Sequence, residues 1–221
     1  MINFRLIFFI LILTSCSKKE LKKDSIVIDE TEVEEYVEID DPNADYRILF
    51  IGNSLTSTNN LPRIVKEGYA ETGIIISTRT IAPPGYGLED HWNVGTIQLL
   101  ISSNYYDYVI IQQGPSSQEY GRASLIEYGG RIAELCNAND TKLAFFMVWP
   151  SRTNYDTFDG VIQNYSDAAS LSNAILIPVG RNWKSYIDQT QDYSYYGSDN
   201  FHPSLKGSQR AAQDITQTLL L

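Results

Sequence analysis

The feature that most constrains the fold is the regular alternation of short apolar runs and helical patterns across residues 46–221. The apolar runs contain little polar alternation, which is typical of strands covered on both faces. We predict strands at residues 47–51, 74–81, 108–112, 143–148 and 175–179. Helical patterns follow at residues 61–71, with Pro62 in the first turn, and at 88–102, 122–138, 161–172 and 204–220. This alternation predicts a single α/β domain, a three-layer α/β/α sandwich around a five-stranded, mostly parallel sheet.

The first residues differ from the rest of the chain. Residues 1–5 carry one positive charge, and the apolar segment 6–13 is too short to span a bilayer as a helix. The segment ends in the letters LTSC, which resemble a bacterial lipobox, whose cysteine receives lipid. We therefore expect residues 1–16 to be a signal peptide with a lipobox. Cys16 would then anchor the protein in the bacterial cell envelope, and the alternative is an ordinary signal peptide with a chance cysteine.

Residues 17–45 are expected to form an acidic, flexible tether, because like charges repel and apolar residues are scarce. Residues 1–45 hold 5 Lys and Arg against 11 Asp and Glu, so they contribute −6 of the net charge of −10 and leave −4 for the folded part. No basic or aromatic-interleaved segment indicates a nucleic-acid partner. Apart from Cys16 the chain has only Cys136, which we expect to be a small core residue.

Residues that could take part in binding or catalysis lie directly after the predicted strands. In open α/β sheets, ligands bind outside the carboxyl ends of the strands. These positions hold Gly52, Asn53 and Ser54 after the first strand, although a turn alone would explain such residues. They also hold the letters PPGYG after the second strand, QQGPS after the third and WP after the fourth.

The chain contains two histidines, and one of them can activate Ser54. A serine hydroxyl is a poor nucleophile unless a base accepts its proton and a third group orients that base. His202 lies three residues after Asp199, just before the last predicted helix, so the two can supply both functions. The other histidine, His91, is a candidate substrate contact or a helix-capping residue.

Four short blocks resemble the motifs of the SGNH, or GDSL-type, hydrolases: GNSLT, PPGYG, IIQQGPS and SDNFHPS, in this order along residues 46–221. The first block reads GNS where the usual form is GDS, which is a mild change. The resemblance implies an SGNH hydrolase-like, flavodoxin-like domain with ester hydrolase activity. It implies Ser54 as nucleophile, His202 as base and Asp199 as the partner of the base. Such a mechanism requires no metal and no organic cofactor.

The resemblance also implies an oxyanion hole built from the Ser54 N–H, a glycine N–H of the second block and an asparagine side chain of the third. Gly85 fits the glycine better than Gly87 by its distance from the strand end. The third block has no asparagine, since GPSS stands where the commonest form reads Gly-x-Asn-Asp. We expect the Gln113 amide to take its place. The alternatives are Gln112 and Ser116.

The substrate is predicted from the aromatic residues and the resemblance. The chain has 15 tyrosines and 3 tryptophans, and those expected near the rim can stack on sugar rings: Tyr86, Trp92, Tyr120, Trp149 and Tyr155. The resemblance implies that a surface-tethered member acts on O-acetylated carbohydrates, with Tyr86, Trp149 and His91 as candidate contacts. A small-molecule ester, lipid or thioester substrate would use the same catalytic residues.

Two other functions are compatible with the sequence. The hydroxyl-rich segment 54–59 somewhat resembles the loop with which flavodoxins hold the FMN phosphate. That reading leaves Asp199 and His202 unexplained, and the loop lacks the usual glycine. The second is a glycan-binding surface lipoprotein that has kept the fold and lost the activity, for which the altered third block would be the symptom.

Overall fold

The computed structural model describes residues 41–103 and 105–219, and its centre is one parallel sheet. The strands are β1 (Tyr46–Ile51), β2 (Ile76–Ile81), β3 (Tyr108–Ile111), β4 (Lys142–Phe146) and β5 (Ile175–Ile177). Their order is β2-β1-β3-β4-β5, and all four pairings are parallel. The predicted α/β fold with a five-stranded sheet is confirmed. The predicted signal peptide, Cys16 and most of the predicted tether lie outside the described residues.

Eight α-helices occur in the described part of the chain: α1 (Ser54–Ser57), α2 (Leu61–Ala70), α3 (Leu88–Val94), α4 (Thr96–Ile101), α5 (Glu119–Asn137), α6 (Phe158–Leu171), α7 (Val179–Thr190) and α8 (Leu205–Leu219). Two 3₁₀ segments precede α2 and α6, at Thr58–Asn60 and Arg152–Thr157. None of these described helices is long and apolar enough to cross a bilayer.

The strand order assigns the helices to the two faces of the sheet. The crossover from β1 to β2 runs toward one edge, whereas the later crossovers run toward the other edge. Right-handed connections therefore place α2 on one face and the helices from α3 to α6 on the opposite face. The packing agrees, since α2 contacts α8 while α5 contacts α3 and α6. Residues 48–51 in the middle of the sheet are fully buried, as expected for a strand covered on both sides.

Several predicted element boundaries were wrong. The predicted helix 88–102 is two helices, because Gly95 adopts a left-handed conformation with φ of 86° between α3 and α4. The fifth strand ends at Ile177 and Val179 already begins α7, a helix that we did not predict. The buried side chains of α7 include Val179, Trp183 and Ile187, spaced four apart. This spacing of four is typical of the buried face of a helix and could have predicted α7. We missed it because many polar residues lie between the three apolar ones.

Candidate active site

The turn after β1 is shaped by Gly52 and Asn53. A Cβ atom on Gly52 would lie 2.5 Å from Oε1 of Gln112, so a larger residue would displace that amide. Asn53 is the N-cap of α1, and its Oδ1 accepts the Leu55 N–H at 3.0 Å. This cap starts a helix directly at Ser54, and the Ser54 backbone N–H lies at its N-terminus.

The Gln112 side chain binds this turn through both its carbonyl oxygen and its amide nitrogen. Its Oε1 accepts the Asn53 N–H at 3.0 Å and the Thr56 hydroxyl at 2.8 Å. Its Nε2 donates to Asn53 Oδ1 at 3.0 Å and to the Gln113 carbonyl at 2.6 Å. Both amide hydrogens are therefore engaged, and Gln112 connects the first block to the third instead of facing the cleft.

The structure brings Ser54, His202 and Asp199 together. The Ser54 Oγ lies 2.9 Å from His202 Nε2, although the two residues are 148 positions apart. On the other side of the ring, His202 Nδ1 lies 2.6 Å from Asp199 Oδ2. Because an ionised carboxylate only accepts, Nδ1 donates to Asp199 and leaves Nε2 of the neutral ring as the acceptor for the hydroxyl. This is the geometry that a serine and its general base require.

The Asp199 carboxylate is held in place by three donors. Besides the His202 ring, the backbone N–H groups of Phe201 and His202 both donate to its Oδ1 at 3.0 Å. The hydrogen bond from His202 is the largest cause of a lowered Asp199 pKa, followed by the one from the Phe201 N–H. Asp199 is therefore ionised at neutral pH and can orient the imidazole.

The loop that carries His202 is fixed by its neighbours after β4. The Trp149 indole N–H donates to the Phe201 carbonyl at 3.0 Å, and the Arg152 N–H donates to the Asn200 carbonyl at 2.8 Å. Asn200 has a left-handed φ of 60°, which asparagine tolerates well. These bonds connect the end of the fourth strand to the base.

Trp149 was predicted as a candidate substrate contact, and the structure contradicts this. Its side chain is fully buried and stacks on Trp183 with ring centroids 3.6 Å apart. No face of the indole is left for a sugar. Its function in the structure is to pack in the core and to bind the loop before His202.

His91 does not face the substrate either. It is only 2% exposed, and its Nε2 lies 2.7 Å from the Gly52 carbonyl. Since a carbonyl only accepts, Nε2 carries the proton, and the ring supports the turn before Ser54 from below. Burial is the main cause of a lowered His91 pKa. The ring packs edge-on against Tyr86, which does line the cleft.

The predicted oxyanion donors differ in their availability. Gly85, with φ of 78°, lines the same cleft as Ser54. The Gln113 amide instead donates to Ser116 Oγ at 2.7 Å and to the Gly121 carbonyl at 3.0 Å. Both of its hydrogens are used, so the structure does not present Gln113 as a donor to an oxyanion.

The alternative oxyanion donors Gly87 and Ser116 are also hydrogen-bonded within the protein. The Gly87 N–H donates to Asp90 Oδ2 at 2.8 Å. The Ser116 hydroxyl donates to the Gly114 carbonyl at 2.9 Å. Of the predicted donor residues, Ser54 and Gly85 line the cleft, and their backbone N–H groups are the candidates that this arrangement leaves.

We call the depression beside Ser54 the catalytic cleft; its volume is about 440 Å³. It carries two carboxylates, Glu89 and Asp90, and no Lys or Arg. Glu89 accepts the hydroxyls of Tyr120 at 3.1 Å and Tyr128 at 3.0 Å. The full lining is Asn53, Ser54, Gly85, Tyr86, Gly87, Glu89, Asp90, Gln113, Gly114, Pro115, Ser116, Tyr120, Gly121, Ser124 and Phe201.

Sequence reasoning missed Glu89, Asp90, Gly121, Ser124 and Phe201 as lining residues. The first two lie two and three residues after the second block, a position that could have indicated them. Of the other aromatic residues predicted at the rim, Trp92 lies under the Arg131 guanidinium. Neither Trp92 nor Tyr155 lines the catalytic cleft.

Two of the four hydroxyls in segment 54–59 are already hydrogen-bonded within the protein. Thr56 is buried and bonded to Gln112, and the Ser54 hydroxyl is bonded to His202. Within residues 41–103 and 105–219, no three His, Cys, Asp or Glu side chains converge into a metal-binding group. Cys136 lies fully buried in the core, and burial raises its pKa to about 12.

Comparisons with known proteins place this geometry in a fold family. No family model matches the chain, and no curated protein matches it. Among solved structures, a protein from Slackia heliotrinireducens described as an SGNH hydrolase is similar with a TM-score of 0.69 and 24% identity, covering 80% of this chain and 100% of that one. A lipase/acylhydrolase from Enterococcus faecalis has a TM-score of 0.65 and 15% identity over 78% of this chain and 94% of its own.

A third similar structure is a variant of an acetyl-xylooligosaccharide esterase from Geobacillus stearothermophilus. Its TM-score is 0.59 at 15% identity, covering 80% of this chain and 95% of that one. Identities at this level indicate a common fold and leave the substrate open. By its parallel sheet, the order of its blocks and these similarities, the chain has the fold of the SGNH/GDSL-type hydrolases.

Proposed function

We propose that this protein is a serine hydrolase that cleaves carboxylic esters with Ser54, His202 and Asp199. The observation that carries the proposal is the pair of hydrogen bonds through the His202 ring, 2.9 Å to the Ser54 hydroxyl and 2.6 Å to Asp199. The similar structures described as hydrolases and esterases support the reaction class.

The reaction follows from the positions of these groups. Ser54 Oγ attacks the ester carbonyl while its proton moves to His202 Nε2, and the imidazolium is stabilised by ionised Asp199. The negative charge on the carbonyl oxygen is stabilised by the N–H groups of Ser54 and Gly85. His202 then gives its proton to the departing alcohol. Water repeats the sequence on the acyl-enzyme, which releases the acid and restores Ser54.

The substrate that we propose is an O-acetylated carbohydrate. Tyr86 and Tyr120 line the catalytic cleft, and tyrosine rings can stack on sugar rings. Two carboxylates among the described lining residues, with no Lys or Arg in that lining, disfavour an anionic substrate. The neighbours described as acetyl-xylooligosaccharide and acetyl xylan esterases support acetate as the acyl group.

We also propose that the domain is attached to the bacterial cell envelope by lipid on Cys16. The LTSC letters after an apolar segment of 8 residues support this attachment. The acidic residues that follow would serve as the spacer between the membrane and the catalytic domain.

A fluorophosphonate probe tests the catalytic assignment, because it reacts with a serine only when a base activates the hydroxyl. We expect the wild-type protein to gain one label by intact mass, and Ser54→Ala to gain none. His202→Ala should label far more slowly and lose roughly 10⁴-fold or more in kcat on para-nitrophenyl acetate.

Ser57→Ala is the matched control, since Ser57 lies on the same short helix and does not line the catalytic cleft. It should label like the wild type. Labelling that persists in Ser54→Ala would refute the assignment of the nucleophile. A wild-type protein that neither labels nor hydrolyses short esters would favour a non-catalytic binding protein.

A further inference from the structure

A second cavity adjoins the catalytic cleft; we call it the side cavity. Its volume is about 650 Å³, within the range of small-molecule sites. The two spaces share four lining residues, Pro115, Ser116, Gly121 and Phe201. Phe201 directly precedes His202, and the two rings lie 5.2 Å apart. A group attached to an ester at Ser54 can therefore extend past Phe201 into the side cavity.

The surface of the side cavity is mostly apolar, and none of its described lining residues is charged. Six lining residues carry a hydroxyl or a carboxamide: Ser116, Ser117, Gln118, Ser151, Asn154 and Thr157. Apolar faces come from two prolines and Phe201, and no lining residue is charged. Hydroxyl-bonding groups beside apolar faces match a neutral sugar, which presents hydroxyls at its edge and C–H groups on its faces.

The polar groups that matter most are available to a ligand. The side chains of Gln118 and Asn154 are exposed, and neither has a hydrogen-bond partner among the described residues. An alkyl chain in this space would offer these exposed amides no hydrogen bonds and would displace part of the water that supplies theirs. A polyhydroxylated ligand would replace those hydrogen bonds. This difference favours a sugar over a long acyl chain.

The wall between the two spaces is held by a chain of hydrogen bonds. Ser116 has a left-handed φ of 57°, and its carbonyl accepts the Asn164 amide at 2.7 Å. Asn164 in turn accepts from Arg122 at 2.8 Å. A wall that is fixed before binding lowers the entropy cost of ordering a ligand against it.

We propose that the side cavity binds the uncharged, polyhydroxylated part of the ester substrate, the sugar units next to the one that carries the acyl group. The proposal rests on the proposed ester hydrolase function and adds a subsite to it. Gln118 and Asn154 are the hydrogen-bonding residues of this subsite, and Phe201 is the ring on which a sugar face lies.

The test is a double variant, Gln118→Ala with Asn154→Ala, compared with Gln189→Ala with Asn137→Ala. The control pair is also exposed and lies outside both cavities. Losing two neutral hydrogen bonds should lower kcat/KM on an acetylated xylo-oligosaccharide by roughly tenfold. Activity on para-nitrophenyl acetate should stay unchanged, because this small ester fills only the catalytic cleft. An equal change on both esters, or none on either, would overturn the subsite.

Two further measurements distinguish failure of the subsite proposal from failure of the esterase proposal. Calorimetric titration of Ser54→Ala with unesterified xylo-, manno- and cellotetraose should show binding of at least one glycan, lost when the cavity substitutions are added. Hydrolysis of para-nitrophenyl acetate without binding of any glycan would refute the subsite and keep the esterase. A protein that binds a glycan and hydrolyses no ester would refute the esterase. A cavity variant that changes activity only on para-nitrophenyl octanoate would assign the space to an acyl chain.

Discussion

At the scale of single residues, two adjacent glutamines organise the site through hydrogen bonds that use both hydrogens of each side-chain amide. Gln112 binds the turn that carries Ser54, and Gln113 binds Ser116 and Gly121 on the opposite wall. A buried carboxamide must satisfy both its donors and its acceptor, so an amide bonded within the scaffold has no hydrogen left for an oxyanion. The altered third block therefore supplies a framework at the position where the resemblance to SGNH hydrolases led us to expect a side-chain donor.

The buried His91 side chain predicts how the free energy of unfolding depends on pH. Its pKa is lowered by burial in the folded protein, so as pH falls below the ordinary value of about 6.5 the unfolded chain takes up a proton first. The stability that the neutral, buried ring contributes is thus present above this pH and is lost below it. We expect the unfolding free energy of the wild type to fall more between pH 7.5 and 5.5 than that of His91→Gln, as measured by urea denaturation.

The glutamine amide can still donate to the Gly52 carbonyl but does not titrate. Carboxylates titrate equally in both proteins, so the difference between the two pH profiles isolates His91. Parallel profiles would mean that His91 does not control this pH dependence.

At the scale of elements, α5 packs on the sheet through a glycine. A Cβ on Gly129 would lie 2.6 Å from the buried Phe145 ring on β4, whereas a Cβ on Gly130 would meet nothing within 4 Å. We expect Gly130→Ala to stabilise the protein by about 0.5–1 kcal/mol, because alanine is the better helix former. Gly129→Ala should instead destabilise it, since overpacking costs about 1–3 kcal/mol.

Each alanine variant is the control for the other, because both change the same helix by one methyl group. Urea denaturation monitored by circular dichroism measures the two differences. Equal effects would mean that α5 is not seated on Phe145 as the structure shows.

The order of the strands and helices was predictable because the buried strands are continuous apolar runs with helices between them. The positions at which helices end were harder to predict from the sequence. Gly95 divides one predicted helix, and a single glycine within a helical pattern does not reveal which backbone conformation it takes. The pairing of Ser54 with His202 followed from the motifs, whereas the burial of Trp149 and His91 depends on tertiary packing that local sequence does not encode.

At the scale of the whole molecule, the lipobox-like segment predicts attachment to a membrane, and the acidic residues after it predict a tether. We expect a chain expressed in a bacterium to incorporate labelled fatty acid and to sediment with the membrane fraction. Cys16→Ser should abolish both, because the hydroxyl does not replace the thiol in this modification.

Esterase activity on a soluble substrate should be the same in both forms, since Cys16 lies outside residues 46–221, which hold the proposed catalytic groups. Cys136→Ser is the control for the loss of a thiol. Lipid incorporation that survives Cys16→Ser would show that the anchor is elsewhere or that the segment is an ordinary signal peptide.

The separation of 148 positions between Ser54 and His202 has a consequence for biosynthesis. A chain that stops anywhere between these two residues contains the hydroxyl and lacks the imidazole that contacts it. We therefore expect Ser54 to become reactive toward a fluorophosphonate only after residue 202 has been synthesised and its loop has folded against Ser54.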